Sequence, residues 1–346
     1  MREIAEPHSL RIDVLDGWRA ASILLVLAGH LLPIGPKRYE LNAAVATSGM
    51  AIFFTLSGLL ITRFLLERPD VRDFLIRRAF RIVPLAWVAM AILAVVDRAD
   101  APTITANFLF VSNVLPEHLF LSGEHLWSLC VEIQFYLGVA ALVAVAGRRG
   151  LYLLPILCVI VTMARAATGN PISIFTWFRV DEILAGACLA LLQEYASDAK
   201  LREYVPRLTA VVLLPILIMT SHPAAGALNY FRPYVAAMMV GASIYALPSM
   251  IDRLLRSRIA RYIATISYAV YVVHGILVGT WLGSGNQVAK YAKRPLLILT
   301  TFAIAHASTF WFERPMIAIG KRLGRRRGPN LTPSPESLPS AKSGGP

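Results

Sequence analysis

Charge is scarce in this chain. Asp, Glu, Lys and Arg make up 16% of its 346 residues, and the acids are the rarer, 21 against 34 bases. A soluble domain needs a hydrated, charged surface, so this scarcity beside 56% hydrophobic residues excludes that class and indicates a polytopic membrane protein. Cysteine is scarcer still. Cys130, Cys158 and Cys188 are too few and too scattered for a disulfide framework or a zinc site, and each falls within an apolar run as a small hydrophobe. No internal repeat of the inverted-transporter kind is visible. The first apolar run holds Asp16 and Arg19 and has no small-residue cleavage site, so it reads as a retained first helix rather than a secretory signal.

Apolar runs are abundant. They fall at 14–33, 44–66, 82–97, 104–121, 126–146, 151–167, 177–193, 208–221, 230–248, 262–283 and 296–313. The fourth holds Asn107, Asn113, Pro116, Glu117 and His118 and reads as an outer re-entrant or interfacial element. An all-α protein with about ten transmembrane helices is therefore expected, multi-pass in the inner or plasma membrane and in contact with its lipid. Ten spans place Arg63 to Arg81, Arg148–Arg149, Lys200 to Arg207, Arg253 to Arg261 and Lys321 to Arg327 on one side, which the positive-inside rule makes the cytoplasm, with both termini. Lys37, Arg38, Arg98, Arg232 and Lys290 to Arg294 fall opposite. The net charge of +13 follows from that topology and from anionic lipid, with no need of nucleic acid. Residues 1–327 form the expected membrane domain, and the Pro-, Ser- and Gly-rich stretch 328–346 reads as a disordered cytoplasmic tail.

Three ionisable residues share the first run, LDGWRAASILLVLAGHLL. Eleven residues at about 100° each leave Arg19 and His30 about 20° apart around the helix axis and roughly 16 Å apart along it, with Asp16 within about 60° of the same stripe. Such groups are costly at bilayer depth unless they face a protein interior or a wet cavity, which marks a functional seam. A capping Asp, a snorkelling Arg and a His satisfied by a neighbouring helix would produce the same pattern.

Further stretches extend that signal: FFTLSGLLIT at 53–62, FLIRRAFRIVP at 74–84, LWSLCVEIQFYL at 126–137, RVDEILAGACLALL at 179–192, SYAVYVVH at 267–274 and FWFERP at 310–315. In this order, after the Arg19–His30 pair, they resemble the acyltransferase-3 family of integral membrane O-acyltransferases over about residues 10–320. The resemblance implies transfer of an acyl group, often acetyl, from an acyl coenzyme A to a hydroxyl of a sugar, glycan or glycosylated product. Arg19 and His30 match the family's paired Arg and His, Arg77, Arg78 and Arg81 its basic cytoplasmic motif, and Glu132 the acid of its Trp-Ser-Leu segment. Many relatives add a soluble C-terminal esterase-like domain, for which no counterpart is expected here.

The residue types suit that chemistry on their own terms. An alcohol is a weak nucleophile near neutral pH, so its attack on a thioester needs a base, for which His30 is the candidate. Glu132, at a compatible depth, is the candidate orienting acid, whereas Asp16 is better placed to pair with Arg19 or another inner arginine. Arg77, Arg78 and Arg81 offer planar, multiply bonding guanidinium groups to the phosphates of coenzyme A, although the positive-inside rule alone also puts bases there. The nucleotide is expected at this cluster, with the pantetheine arm passing Arg19 toward His30. No metal is expected. His274 reads either as a lining residue of the acceptor cavity or as a structural interfacial His, Trp127 and Trp311 as sugar-stacking or interfacial residues, and Ser57 with Gly58 as a helix-packing site. Asp181 and Glu182 are unusual enough to line a polar cavity. A transporter or flippase for a sugar or lipid-linked substrate is the alternative that hydropathy leaves open.

Overall fold

The computed structural model describes residues 13–196 and 203–325, with the side chain of Arg325 left aside. The proposed tail 328–346 and the basic residues Lys200, Arg202, Arg326 and Arg327 lie outside these residues.

Every regular element among the described residues is helical. The chain runs through α1 (Asp13–Leu31), α2 (Leu41–Glu67), α3 (Val71–Val96), α4 (Ala101–Phe108), α5 (Trp127–Ala146), α6 (Leu154–Ala167) and α7 (Asp181–Tyr195). It continues through α8 (Thr209–Thr220), α9 (Arg232–Tyr245), α10 (Ser249–Leu255), α11 (Arg258–Val278), α12 (Gln287–Ala292), α13 (Arg294–Ala307), a π-helical turn at Ser308–Glu313 and α14 (Arg314–Arg325).

Local chemistry sets the boundaries. Asp70 caps α3 by accepting the Asp73 amide at 3.0 Å, and Ser257 caps α11 by accepting the Ala260 amide at 3.1 Å. At the end of α5, Gly147 turns the chain with φ 59°, a left-handed value open to a residue without Cβ.

Among the described residues, six helical stretches are long and apolar enough to cross a membrane, or seven if the bent pair Pro223–Tyr245 and Ser249–Leu255 counts as one. The protein is thus an all-α, multi-pass membrane protein, but fewer helices qualify than the ten expected. Part of the shortfall is continuity, since the expected spans 126–146 and 151–167 run on through a 3-10 segment and qualify as the one stretch Leu121–Ala167, and the rest is length. Helix α7 has 15 residues and α8 only 12, so α8 extends about 18 Å against a hydrocarbon core of about 30 Å. Hydropathy recognised these apolar runs but could not see where backbone turns cut them short. Residues 104–121 form no spanning helix: after α4 comes a 3-10 turn at Pro116–His118, and buried Asn107 and Asn113 bond backbone carbonyls of His118 and Ile174.

Helix α2 is central, packed against α1 on one side and α7 on another. Its approach to α7 depends on two glycines. A Cβ on Gly58 would lie 1.8 Å from the Ile183 carbonyl oxygen, and one on Gly186 would lie 2.0 Å from that of Thr55. The backbones therefore nearly touch, as small residues permit in membrane helices. All three cysteines are free, with Cys130 and Cys158 buried.

Candidate active site

Two cavities lie along the shared faces of α1, α2 and α11. The outer one, about 720 Å³, is lined by His30, Thr47, Met50, His125, Trp127, Arg179, Tyr271 and His274 among others. The inner one, about 40 Å³, is bounded by Arg19, Phe53, Ser57, Arg78, Arg81, Glu132, Tyr136 and Tyr268 among others. Helical periodicity explains the arrangement. On α11, Ser267, Tyr268, Tyr271, His274, Gly275 and Val278 form one face that serves both cavities, as do Thr47, Met50, Phe53, Ser57 and Leu60 on α2. Arg19 and His30, eleven residues apart on α1, each reach one cavity. Between the two, the Phe53 and Tyr271 rings stack with centroids 6.4 Å apart.

In the outer cavity the His30 ring is exposed and lies 3.0 Å from His274, Nδ1 to Nε2. The protons can be assigned from the network. His274 Nδ1 is 2.6 Å from the Tyr271 carbonyl oxygen, which can only accept, so that nitrogen carries hydrogen. Neutral His274 then has an unprotonated Nε2 that accepts from His30 Nδ1–H, leaving Nε2 of His30 with a free lone pair. The opposite assignment would put an imidazolium on buried His274, with the His125 ring only 4.7 Å away. His125 is held in place by the Val272 carbonyl at 3.3 Å. It fits because position 275 is glycine: a Cβ there would fall 2.0 Å from the imidazole Cε1.

Glu132 does not meet His30. Its Oε1 accepts hydrogen bonds from Ser57 at 2.5 Å and from Tyr136, in the inner cavity. A compatible depth did not make them neighbours, and the side chain that meets the His30 ring is that of His274. Ser57 thus has a polar partner beyond the packing role read from LSGLLI.

Of the three clustered arginines, Arg78 and Arg81 line the inner cavity together with Arg19. The Arg78 guanidinium lies over the Phe74 and Tyr136 rings at 5.9 and 5.8 Å, and Arg81 is exposed. Arg77 sits apart, bonded to Asp73 at 2.6 Å one turn earlier on α3. Asp16 lines neither cavity. Trp127 borders the outer cavity, whereas Trp311 is 79% exposed and lines neither.

A second polar centre was only half visible in the sequence. Asp181 and Glu182 are fully buried, as are Arg165 and Arg232, and Arg179 is 2% exposed. Arg165 pairs with Asp181, while Arg232 reaches Glu182 Oε1 at 2.6 Å and Arg179 approaches that same oxygen at 3.4 Å. Arg232, counted above as an outer-loop base, is therefore a core residue. Arg165 within an apolar run was the available signal, and His125 next to LWSLC another. Among the described residues, no group of three His, Cys, Asp or Glu side chains is placed to hold a metal ion.

This arrangement can hold a polar substrate beside an oriented imidazole, with a separate cationic pocket below it. The chain is 26% identical to the putative peptidoglycan O-acetyltransferase YrhL of Bacillus subtilis (strain 168), over 92% of this chain and 57% of that protein. It is 24% identical to the peptidoglycan O-acetyltransferase OatA of Listeria monocytogenes serovar 1/2a, over 88% and 56%. The chain thus spans little more than half the length of these relatives. A putative O-acetyltransferase of Staphylococcus aureus (strain COL) is 28% identical over 36% of this chain and 24% of its own. No solved structure matches. Residues 12–314 match the family model described as an acyltransferase domain, and the chain belongs to this acyltransferase-3 family.

Proposed function

We propose that the protein is a membrane O-acyltransferase, in the cell's inner or plasma membrane, that moves an acetyl or other acyl group from an acyl coenzyme A to a glycan hydroxyl. The observation that carries this reading is the bond from His30 to His274, with His274 anchored on the Tyr271 carbonyl beside a cavity of about 720 Å³. It leaves a neutral, oriented base where an acceptor has room to bind. His30 Nε2 takes the hydroxyl proton as the acceptor oxygen bonds to the thioester carbonyl carbon. The C–S bond then breaks, and the departing thiolate receives the proton from the His30 imidazolium.

Donor phosphates bind at Arg78 and Arg81, on the cytoplasmic side required by the positive-inside rule. Arg19 and Glu132 carry the polar path one step deeper. An inner cavity of about 40 Å³ has space for a few waters at most, so entry of a pantetheine arm requires the Phe53 and Tyr271 rings to part. Because the matched relatives are named as peptidoglycan O-acetyltransferases, a peptidoglycan glycan is the acceptor class favoured here.

Incubating the purified protein with radiolabelled acetyl coenzyme A and a panel of glycans tests the reading. Label in a glycan is the expected result. Passage of unmodified glycan across a liposome, without label transfer, would overturn it in favour of transport. Reversing charge with Arg78→Glu is expected to raise the donor KM by about 10-fold or more, since it removes one charge-assisted phosphate contact and adds repulsion. An unchanged donor dependence would remove Arg78 from the site.

A further inference from the structure

We infer that Arg179 is a docking point for a carboxylate on the acceptor. The inference rests on the glycan acyltransferase reading above and adds a charge requirement to its acceptor.

The buried centre behind the outer cavity is short of negative charge. Arg165, Arg179 and Arg232 bring three positive charges, and Asp181 and Glu182 bring two negative ones, so their sum among the described residues is +1. Arg165 is satisfied by Asp181 and by the Pro171 carbonyl. Arg232 is held by Glu182 and by Asn229 Oδ1 at 3.0 Å. Arg232 leaves only Nη2 without a partner, so Arg179 is the least satisfied of the three. Its Nη1 is 3.4 Å from a Glu182 oxygen that Arg232 already occupies at 2.6 Å, and both its Nε and Nη1 lack a hydrogen-bond partner.

Arg179 is also the member of this centre that lines the outer cavity. Its guanidinium lies 5.4 Å from the Trp127 ring centroid and 6.0 Å from that of Phe54, so aromatic faces fix its plane while leaving N–H groups unused. The carboxylate among the residues lining that cavity, Glu124, is exposed, so it does not neutralise the buried centre.

An uncompensated buried charge is costly, and a ligand of opposite charge removes that cost on binding. A carboxylate fits in two ways. Its two oxygens match the fork of a guanidinium, and its single charge cancels the excess, whereas a phosphate dianion would overshoot it. Glu182 Oε2 and Asp181 Oδ1 are also unpaired, so the competing arrangement is a closed cluster in which Arg179 turns to these oxygens and wants no ligand charge.

The two arrangements separate in acyl transfer to peptidoglycan glycan chains stripped of peptide, whose muramyl carboxylates are free, and to the same chains with those groups converted to carboxamides. The wild-type protein is expected to favour the carboxylate form. Arg179→Gln should raise the KM for that form by about 30-fold, equivalent to losing a buried charge partner, with the carboxamide and donor KM values little changed. Arg179→Lys, which keeps the charge and loses the fork, should fall between them. Equal use of both acceptors by the wild type, or an equal loss on both in Arg179→Gln, would overturn the docking role and leave acyl transfer standing. Acylation of neither acceptor would overturn the peptidoglycan reading and this inference with it.

Discussion

Purified His30→Ala protein is expected to transfer acyl groups about 10²- to 10⁴-fold more slowly than wild type, the range supplied by a positioned general base. Coenzyme A binding should persist, because His30 lines the outer cavity and the arginines proposed for the phosphates line the inner one. Full activity in this variant would eliminate the base assignment. The His30–His274 bond makes the same test sharper. His274→Leu retains the base but removes the acceptor for His30 Nδ1–H, so the ring is free to turn and to carry its proton on the wrong nitrogen. Its kcat should fall while the donor KM stays put, and Gln at that position, which can accept through its side-chain oxygen, should recover part of the loss. An equal loss with Leu and Gln would argue that His274 only fills space.

Arg165→Ala should give the largest loss of stability, about 3–5 kcal/mol, because it leaves Asp181 charged, fully buried and without its partner. Thermal unfolding in detergent would register this as a large drop in midpoint. The loss should be smaller in the double variant Arg165→Met with Asp181→Leu, where neither charge remains to be desolvated. If single and double variants unfold alike, the ion pair contributes less than the packing of its side chains. The contrast with the exposed pair Arg256–Asp252, 2.7 Å apart within one helix, is instructive: water already solvates those groups, and the pair is worth under about 1 kcal/mol.

Much of the candidate site could be read from spacing. Arg19 and His30 are eleven residues apart on one helix, so their common stripe follows from the 3.6-residue period, and both do line cavities. Arg78 and Arg81 line the inner cavity and Arg77 does not, although 77 is only about 40° from 81 around the helix, because its guanidinium is drawn back to Asp73 one turn earlier. Glu132 was recognised as a site candidate but given the wrong neighbour. Matching depths fix a position along the membrane normal and say nothing about which helices touch. Arg232 was misread for a related reason: a base near the end of an apolar run looks like a loop residue until the carboxylate fifty positions earlier is seen beside it.

What the sequence determined by itself was the solvent and the kind of chain: scarce charge and long apolar runs require a bilayer, and in a bilayer backbone groups must be satisfied within helices. Its ordered motifs determined the family. Only the tertiary structure decided which ionisable groups meet, placing His30 against His274 across 244 residues and leaving Arg179 the odd charge in its cluster. The physical reason is range. Hydropathy and helical period act over one or two turns, whereas the partner of a buried charge is chosen by which helices pack side by side, and here that choice turns on contacts such as Gly58 against Ile183.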